Sequence, residues 1–230
     1  MPMLIEYLPI LLDGLLTTLS VSLVSLAIAS LFGLAGALAK LSTGRGLQAV
    51  AGAYTTLIRS IPDLVLMLAL FYGGQALVND IGLRLGWDYI DIDPFLAGSL
   101  TLGFIYGAYL TETFRGAFMA IPKGQAEAGL AYGMSGVQVL WHITLPQMIR
   151  HAIPGFANNW LVMVKASALV SIIGLDDMVH RASLATAATA QPFTFYAAVA
   201  VLYLVVTTVS ILALGQLEKR VSLGVRKAVL

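Results

Sequence analysis

Charges are rare in this sequence, and those set inside its apolar stretches carry whatever chemistry it has. Arg59, Pro62 and Asp63 fall together in "LIRSIPDLVL". Pro62 must disturb a helix there, and in a membrane the freed carbonyls find partners only within protein or a wet cavity. Asp63 at such a kink could meet a cationic substrate. At i, i+4 it could equally pair with Arg59, and the ion pair is the simpler reading. Glu112 and Arg115, at i, i+3, also read as an internal pair first, although Tyr106, Tyr109 and Thr111 ahead of them could line a polar route. Asn158, Leu161, Val162 and Lys165 share one helical face by the 3.6 period. A lysine deep in a span must pair, snorkel or meet water. A bond to backbone carbonyls, Asp63 or Glu112 is expected for Lys165 before a role in binding a substrate carboxylate.

Enzymatic chemistry has little to stand on. His142, His151 and His180 share no metal-ligand spacing, so no metal is expected. Cysteine is absent, which removes disulfides and thiolate sites. No Ser-His-Asp arrangement can be argued, and no glycine-lysine phosphate loop occurs, so the chain itself is expected to bind no nucleotide or other cofactor.

The elements that position these residues follow from composition. Of 230 residues, 59% are hydrophobic and 11% charged, with a mean hydropathy of +0.88; a soluble domain carries about 25% charged residues. This selects an all-α membrane bundle, one transmembrane domain over 1–230, and excludes a soluble enzyme domain. A net charge of +1 argues against a nucleic-acid partner. Two spans are long and free of charge: Gly14 to Ala39, and a last one within 182–217. Three more, about 51–78, 94–121 and 152–175, are interrupted by ionisable residues and should face a bundle interior or a cavity. About five transmembrane helices are therefore expected. Small-residue runs such as "FGLAGALA" allow close helix packing, so the first span should press on a neighbour. The start of the chain has no basic n-region and no small-residue cleavage site, so no removable signal peptide is expected.

The distribution of basic residues orients the bundle. With the N-terminus outside and the C-terminus inside, Lys40, Arg45, Arg115, Lys123, Arg150, Lys219, Arg220, Arg226 and Lys227 fall inside, with Arg59 near that face. Only Arg84 and Arg181 fall outside, beside Asp80, Asp88, Asp91, Asp93, Asp176 and Asp177. The outer face is acidic, which would concentrate cations at the mouth if it acts at all. Residues 116–150 become a cytoplasmic loop.

That loop contains "AEAGLAYGMSGVQVLWHITLP", residues 126–146. Pro122 and the residues after it predict a short helix over about 123–132. "GMSG" should break it, "VQVLWHI" should form a second short helix, and Leu145-Pro146 should end that one. One acid, Glu127, stands on a surface stripped of bulk by Ala126, Ala128 and Gly129, a shape suited to docking in a groove on another protein.

Glu127, Ala128, Gly129, Gly133, Ile143, Leu145 and Pro146 resemble, at the same spacings, the cytoplasmic signature of permease subunits of bacterial ATP-binding-cassette importers: Glu-Ala-Ala, three residues, Gly, nine residues, Ile, one residue, Leu-Pro. Gly129 stands where the family has its second alanine and keeps the small side chain. "TTLIRSIPDLVLMLALFYG", "IDIDPFLAGSLTLGFIYGAY", "YGAYLTETFRGAFMAIPKGQAEA" and "PGFANNWLVMVKASALVSIIGLDD" are similar to the polar amino-acid branch, and more closely to Q-type subunits of histidine/lysine/arginine/ornithine importers and opine permeases.

The resemblance implies a multi-pass bacterial inner-membrane subunit with the type I importer fold. It implies a pore shared with a second permease subunit, expected to be a paralogue rather than a copy. Two copies of a cytosolic ATPase that binds ATP and Mg, a periplasmic binding protein and a polar, basic amino acid or opine complete the set of partners. Glu127 would approach a basic residue of the ATPase, and the 133–139 turn, Met134 included, would transmit its closure. The reading weighed against this is an ion-coupled secondary carrier using Asp63, Glu112 or Lys165, which needs no docking loop. A non-transporting assembly subunit is the third.

Overall fold

A computed structural model describes residues 2–221, with side chains from Leu4 onward. The expectations for Arg226 and Lys227 lie outside the described residues. The elements are α1 (Pro2–Leu41), α2 (Arg45–Ser60), α3 (Asp63–Arg84), α4 (Pro94–Met119), α5 (Lys123–Ala131), α6 (Gly136–Val139), a π turn (Leu140–Thr144), α7 (Leu145–Ala166), a 3-10 segment (Ser167–Ile173), α8 (Met178–Thr189) and α9 (Pro192–Val221). No strand occurs among the described residues. Four helical stretches are long and apolar enough to cross a membrane: Leu4–Leu41, Asp63–Arg84, Gly136–Ile173 and Pro192–Val221. The remaining expected span, α4, is 26 residues long. It is also the most enclosed helix, burying Leu102, Ile105, Tyr106, Leu110 and Phe114 together with the polar Ser99, Thr101 and Thr111. Enclosure by other helices is the reason it need not be as apolar as the outer ones.

The bundle is organised by α1 against α4. Gly33 faces Leu110, Gly36 faces Thr111, Gly103 faces Ile28 and Gly107 faces Phe32. These pairs ascend together, so the two helices run parallel. A Cβ on Gly33 would lie 2.6 Å from Leu110 Cβ, and one on Gly107 2.6 Å from Phe32 Cβ. Small residues thus let the two helices interlock, as the sequence reading expected of the first span. Asn159 Nδ2 donates to Thr113 Oγ1 at 3.0 Å and Trp160 Nε1 to Ser210 Oγ at 3.1 Å, tying α7 to α4 and α9.

Two boundary expectations need correction. The expected span at 51–78 is not one kinked helix: α2 stops at Ser60, Ile61 is extended (φ −106°, ψ 138°), and α3 starts after Pro62. The proline ring and missing N–H do more than bend the chain, because the residue before proline is also pushed out of the helical region. Conversely, Leu145-Pro146 does not end the second short helix of the loop. Leu145 N–H bonds to Leu140 C=O, five residues back, and α7 continues from there. The π turn re-registers the carbonyls where an α-helix would clash with the Pro146 ring, so the helix runs through.

On the side the sequence reading places outside, the chain is pinned to helix ends. Gln75 and Asn79 of α3 hold the loop before α4 through the backbone of Ile90 and Ile92, with Asn79 Oδ1 accepting from Ile90 N at 2.8 Å. Asp93 caps α4, accepting from Leu96 N at 2.9 Å. Asp177 caps α8, accepting from His180 N at 2.8 Å, yet is fully buried. Burial pushes its carboxyl up to about 6, against the lowering effect of the capping N–H groups.

Two outcomes are expected. Gly33→Val should sharply reduce the folded protein recovered from membranes, while Ala35→Val, at an exposed position of the same turn, should not; fluorescence-detected size exclusion compares them. For Asp177 the folded state holds the proton more tightly than the unfolded state, so stability falls as pH rises from about 4 to about 6 and is then level. Asp177→Asn keeps a capping oxygen and should flatten that slope, raising stability near pH 8 by about 1–3 kcal/mol. Thermal melts of the solubilised protein across this range measure it.

Candidate functional site

The intramembrane charges assemble around α4. Glu112 accepts from Arg115 Nε at 2.9 Å, as its i, i+3 spacing suggests, and is also bonded by Lys40 at the end of α1. Lys40 Nζ donates in addition to Thr55 Oγ1 of α2 at 2.6 Å. One acid therefore joins three helices. Lys40 entered the sequence reading only as a topology marker; no local spacing connects it to Glu112, 72 positions away.

Asp63 and Arg59 do not pair, because the break at Ile61-Pro62 removes the helical register that would bring them together. Asp63 Oδ2 instead accepts from the Tyr106 hydroxyl at 3.0 Å. The Arg59 guanidinium lies 5.4 Å from the centre of the Tyr109 ring, and the Tyr106 and Tyr109 rings stack at 5.5 Å. Tyr106 stands halfway along α4, so the helix break sits at the middle of the bundle. Below it opens a polar cavity of about 470 Å³ lined by Lys40, Thr55, Thr56, Arg59, Ser60, Tyr109 and Glu112. The structure brings Glu112 into this cavity and leaves Asp63 just beyond the tyrosine pair.

Lys165 is bonded to neither acid: Lys40 holds Glu112 and Tyr106 holds Asp63. Lys165 and Asn158 are exposed on one face of α7, whereas Asn159 turns inward. A helix face carrying an amide and an ammonium is costly against lipid and suits an aqueous path or a protein neighbour.

The loop forms a small rigid unit. α5 ends at Tyr132, and Gly133 (φ 84°) takes the left-handed conformation. Gly133 N–H bonds to Leu130 C=O at 2.9 Å and Met134 N–H to Gly129 C=O at 3.1 Å, a Schellman stop. Ser135 then caps α6 in a reciprocal box with Gln138. That Ser-x-x-Gln signal was present in the sequence and the sequence reading passed over it. Gly129 is buried, and a Cβ there would meet Ile143 Cδ1 at 2.6 Å and Val139 Cγ2 at 3.0 Å. The isoleucine methyl sits where an alanine Cβ would lie, so an alanine at this position would need that side-chain end to shift. Glu127 and Ala128 are exposed, as are Leu130, Tyr132 and Trp141. Leu145 is half-buried and Pro146 exposed where the π turn enters α7.

Removing Glu112 leaves Lys40 without its acid, and removing Lys40 leaves Glu112 with Arg115 alone. Lys40→Met or Glu112→Leu alone should each cost about 1–3 kcal/mol, and the double variant should recover part of the loss. Thermal melts of all three in one detergent would show that coupling.

A family model described as "binding-protein-dependent transport system inner membrane component" matches residues 29–223. The histidine/lysine/arginine/ornithine transport system permease protein HisQ of Salmonella typhimurium is 52% identical over 219 residues, covering 95% of this chain and 96% of the relative. The octopine transport system permease protein OccQ of Rhizobium meliloti is 40% identical over 213 residues, covering 92% and 90%. A crystal structure of an amino acid ABC transporter with histidines superposes with a TM-score of 0.80 at 31% identity, covering 94% of this chain and 96% of that one. An exposed, capped loop on an all-helical membrane bundle agrees with these likenesses, and the chain belongs to the family of inner-membrane permease components of binding-protein-dependent ATP-binding-cassette importers.

Proposed function

We propose that this permease subunit takes up basic amino acids or opines across a bacterial inner membrane. In this reading it forms the pore with a second, paralogous permease subunit. A periplasmic binding protein delivers substrate to the outer face, and a cytosolic ATPase dimer, which binds ATP and Mg, docks on the loop at 116–150. The observation that carries the docking claim is the α5–Gly133–α6 tip. It is stiffened by its own hydrogen bonds yet presents Glu127, Ala128 and Tyr132 outward, Tyr132 at 91% exposure. A stiff, exposed tip transmits a push; a mobile one would absorb it. The exposed Asn158 and Lys165 face of α7 is the part of the bundle best suited to the shared pathway, and the substrate class follows the named cargo of the HisQ and OccQ relatives.

The distribution of basic residues supports this arrangement: with the N-terminus outside, the loop and the Lys40, Arg115 and Lys123 end of the bundle would face the ATPase. Secondary transport is the weaker reading, since none of its candidate coupling groups explains the loop.

Glu127→Lys should lower ATP-driven arginine uptake to less than about a tenth of wild type, with normal membrane insertion and loss of the ATPase on co-purification. Uptake at the wild-type rate in that variant would reject the docking role. Wild-type uptake that persists after the proton gradient is collapsed, and stops when ATP is depleted, separates the importer from the ion-coupled carrier.

A further inference from the structure

Arg59 and Asp63 stand four residues apart with opposite charges and do not neutralise each other. The extended Ile61-Pro62 link sends one to the face of Tyr109 and the other to the hydroxyl of Tyr106. Neither contact saturates its charge. A guanidinium lying over a ring keeps its N–H edge available, and a carboxylate with one bond from a phenol keeps further acceptor positions. Arg59 is exposed and Asp63 partly so. The main-chain break beside them leaves the last carbonyls of α2 and the first N–H groups of α3 without helical partners, and no side chain caps the start of α3. Unwound backbone at the middle of a membrane bundle is tolerated where it lines a cavity.

The cavity next to the break selects for charge. Its lining holds two cations, Lys40 and Arg59, and one acid, Glu112. That acid is already bonded to Lys40 and Arg115. Arg59 is therefore the cation in the cavity with no acid partner, and it suits a carboxylate, which it can grip with two parallel N–H bonds. Asp63, on the other side of the tyrosine pair, suits an ammonium. The Glu112 clasp is too well paired to be the first contact of a cationic side chain.

We infer that Arg59 and Asp63, held apart across Tyr106 and Tyr109, form a recognition site for the zwitterionic head group of an α-amino acid, with carboxylate to Arg59 and ammonium to Asp63. This rests on the reading of the chain as an amino-acid permease. It places recognition of the constant part of the substrate in this subunit and leaves the variable side chain to other surfaces.

The test uses the complete transporter, purified with its co-purifying subunits in nanodiscs and without binding protein, so that delivery specificity does not enter. Binding of radiolabelled arginine is competed with arginine, arginine methyl ester and Nα-acetylarginine. Wild type should prefer arginine at least tenfold over each analogue. Arg59→Gln should bring the ester within about twofold of arginine, Arg59→Lys should keep part of the preference, and Asp63→Asn should do for the acetyl analogue what Arg59→Gln does for the ester. A lost preference, unlike a lost signal, cannot come from poor folding. Discrimination retained in either neutral variant, or no arginine bound by a wild-type complex that takes up arginine with ATP once moved to liposomes with its binding protein, overturns the site. Failure of ATP-driven uptake in the wild type would instead reject the function on which it rests.

Discussion

Glu112 is the residue on which the arrangement of one end of this bundle, where α1, α2 and α4 meet, depends. Its carboxylate holds Lys40 at the end of α1 and Arg115 on its own helix, and Lys40 passes the connection to Thr55 of α2. A single unpaired charge at this depth would cost several kcal/mol. Shared among two cations and a hydroxyl, it becomes a fixed joint between three helices. The interlocking of Gly33, Gly36, Gly103 and Gly107 with side chains of the facing helix supplies the rest, since close packing rather than hydrophobic exclusion is what holds helices together in lipid.

From that joint the broken helix follows. With α2 held to α1 through Thr55 and to α4 through Tyr54, whose hydroxyl donates to Phe104 C=O at 2.5 Å, the chain can afford the interruption at Ile61-Pro62 in the middle of the bundle. The break in turn separates Arg59 from Asp63 and aims them at two different tyrosines. An uninterrupted helix would have brought these charges onto one face and invited them to cancel.

The loop at the far end of α4 obeys a different rule. It has little core of its own, so its shape is set by hydrogen bonds and backbone geometry: the left-handed Gly133, the Ser135–Gln138 box and the π turn that carries the helix past Pro146. Gly129 lets α5 rest on Val139 and Ile143. The outcome is a tip whose second short helix runs through the π turn into α7, the helix bearing Asn158 and Lys165.

Much of this was legible in the sequence because it depends on local chemistry. Long apolar runs declare the outer spans, the spacing from Glu127 to Pro146 declares the loop, and Glu112 with Arg115 declares an i, i+3 pair. Cap and turn residues are equally local, and the Ser135–Gln138 box could have been read there as well. What the sequence could not determine were partnerships between distant segments. Lys40 with Glu112, Tyr106 with Asp63 and Arg59 over Tyr109 join residues 43 to 72 positions apart or depend on how a broken helix resumes. Nor does it say whether a proline bends, breaks or merely re-registers a helix. Pro62 broke one, with Ile61 extended before it, and Pro146 did not, because a π turn re-registers the carbonyls ahead of it; both prolines lack the same N–H, so the difference lies in the backbone path on either side, which the folded chain alone decides.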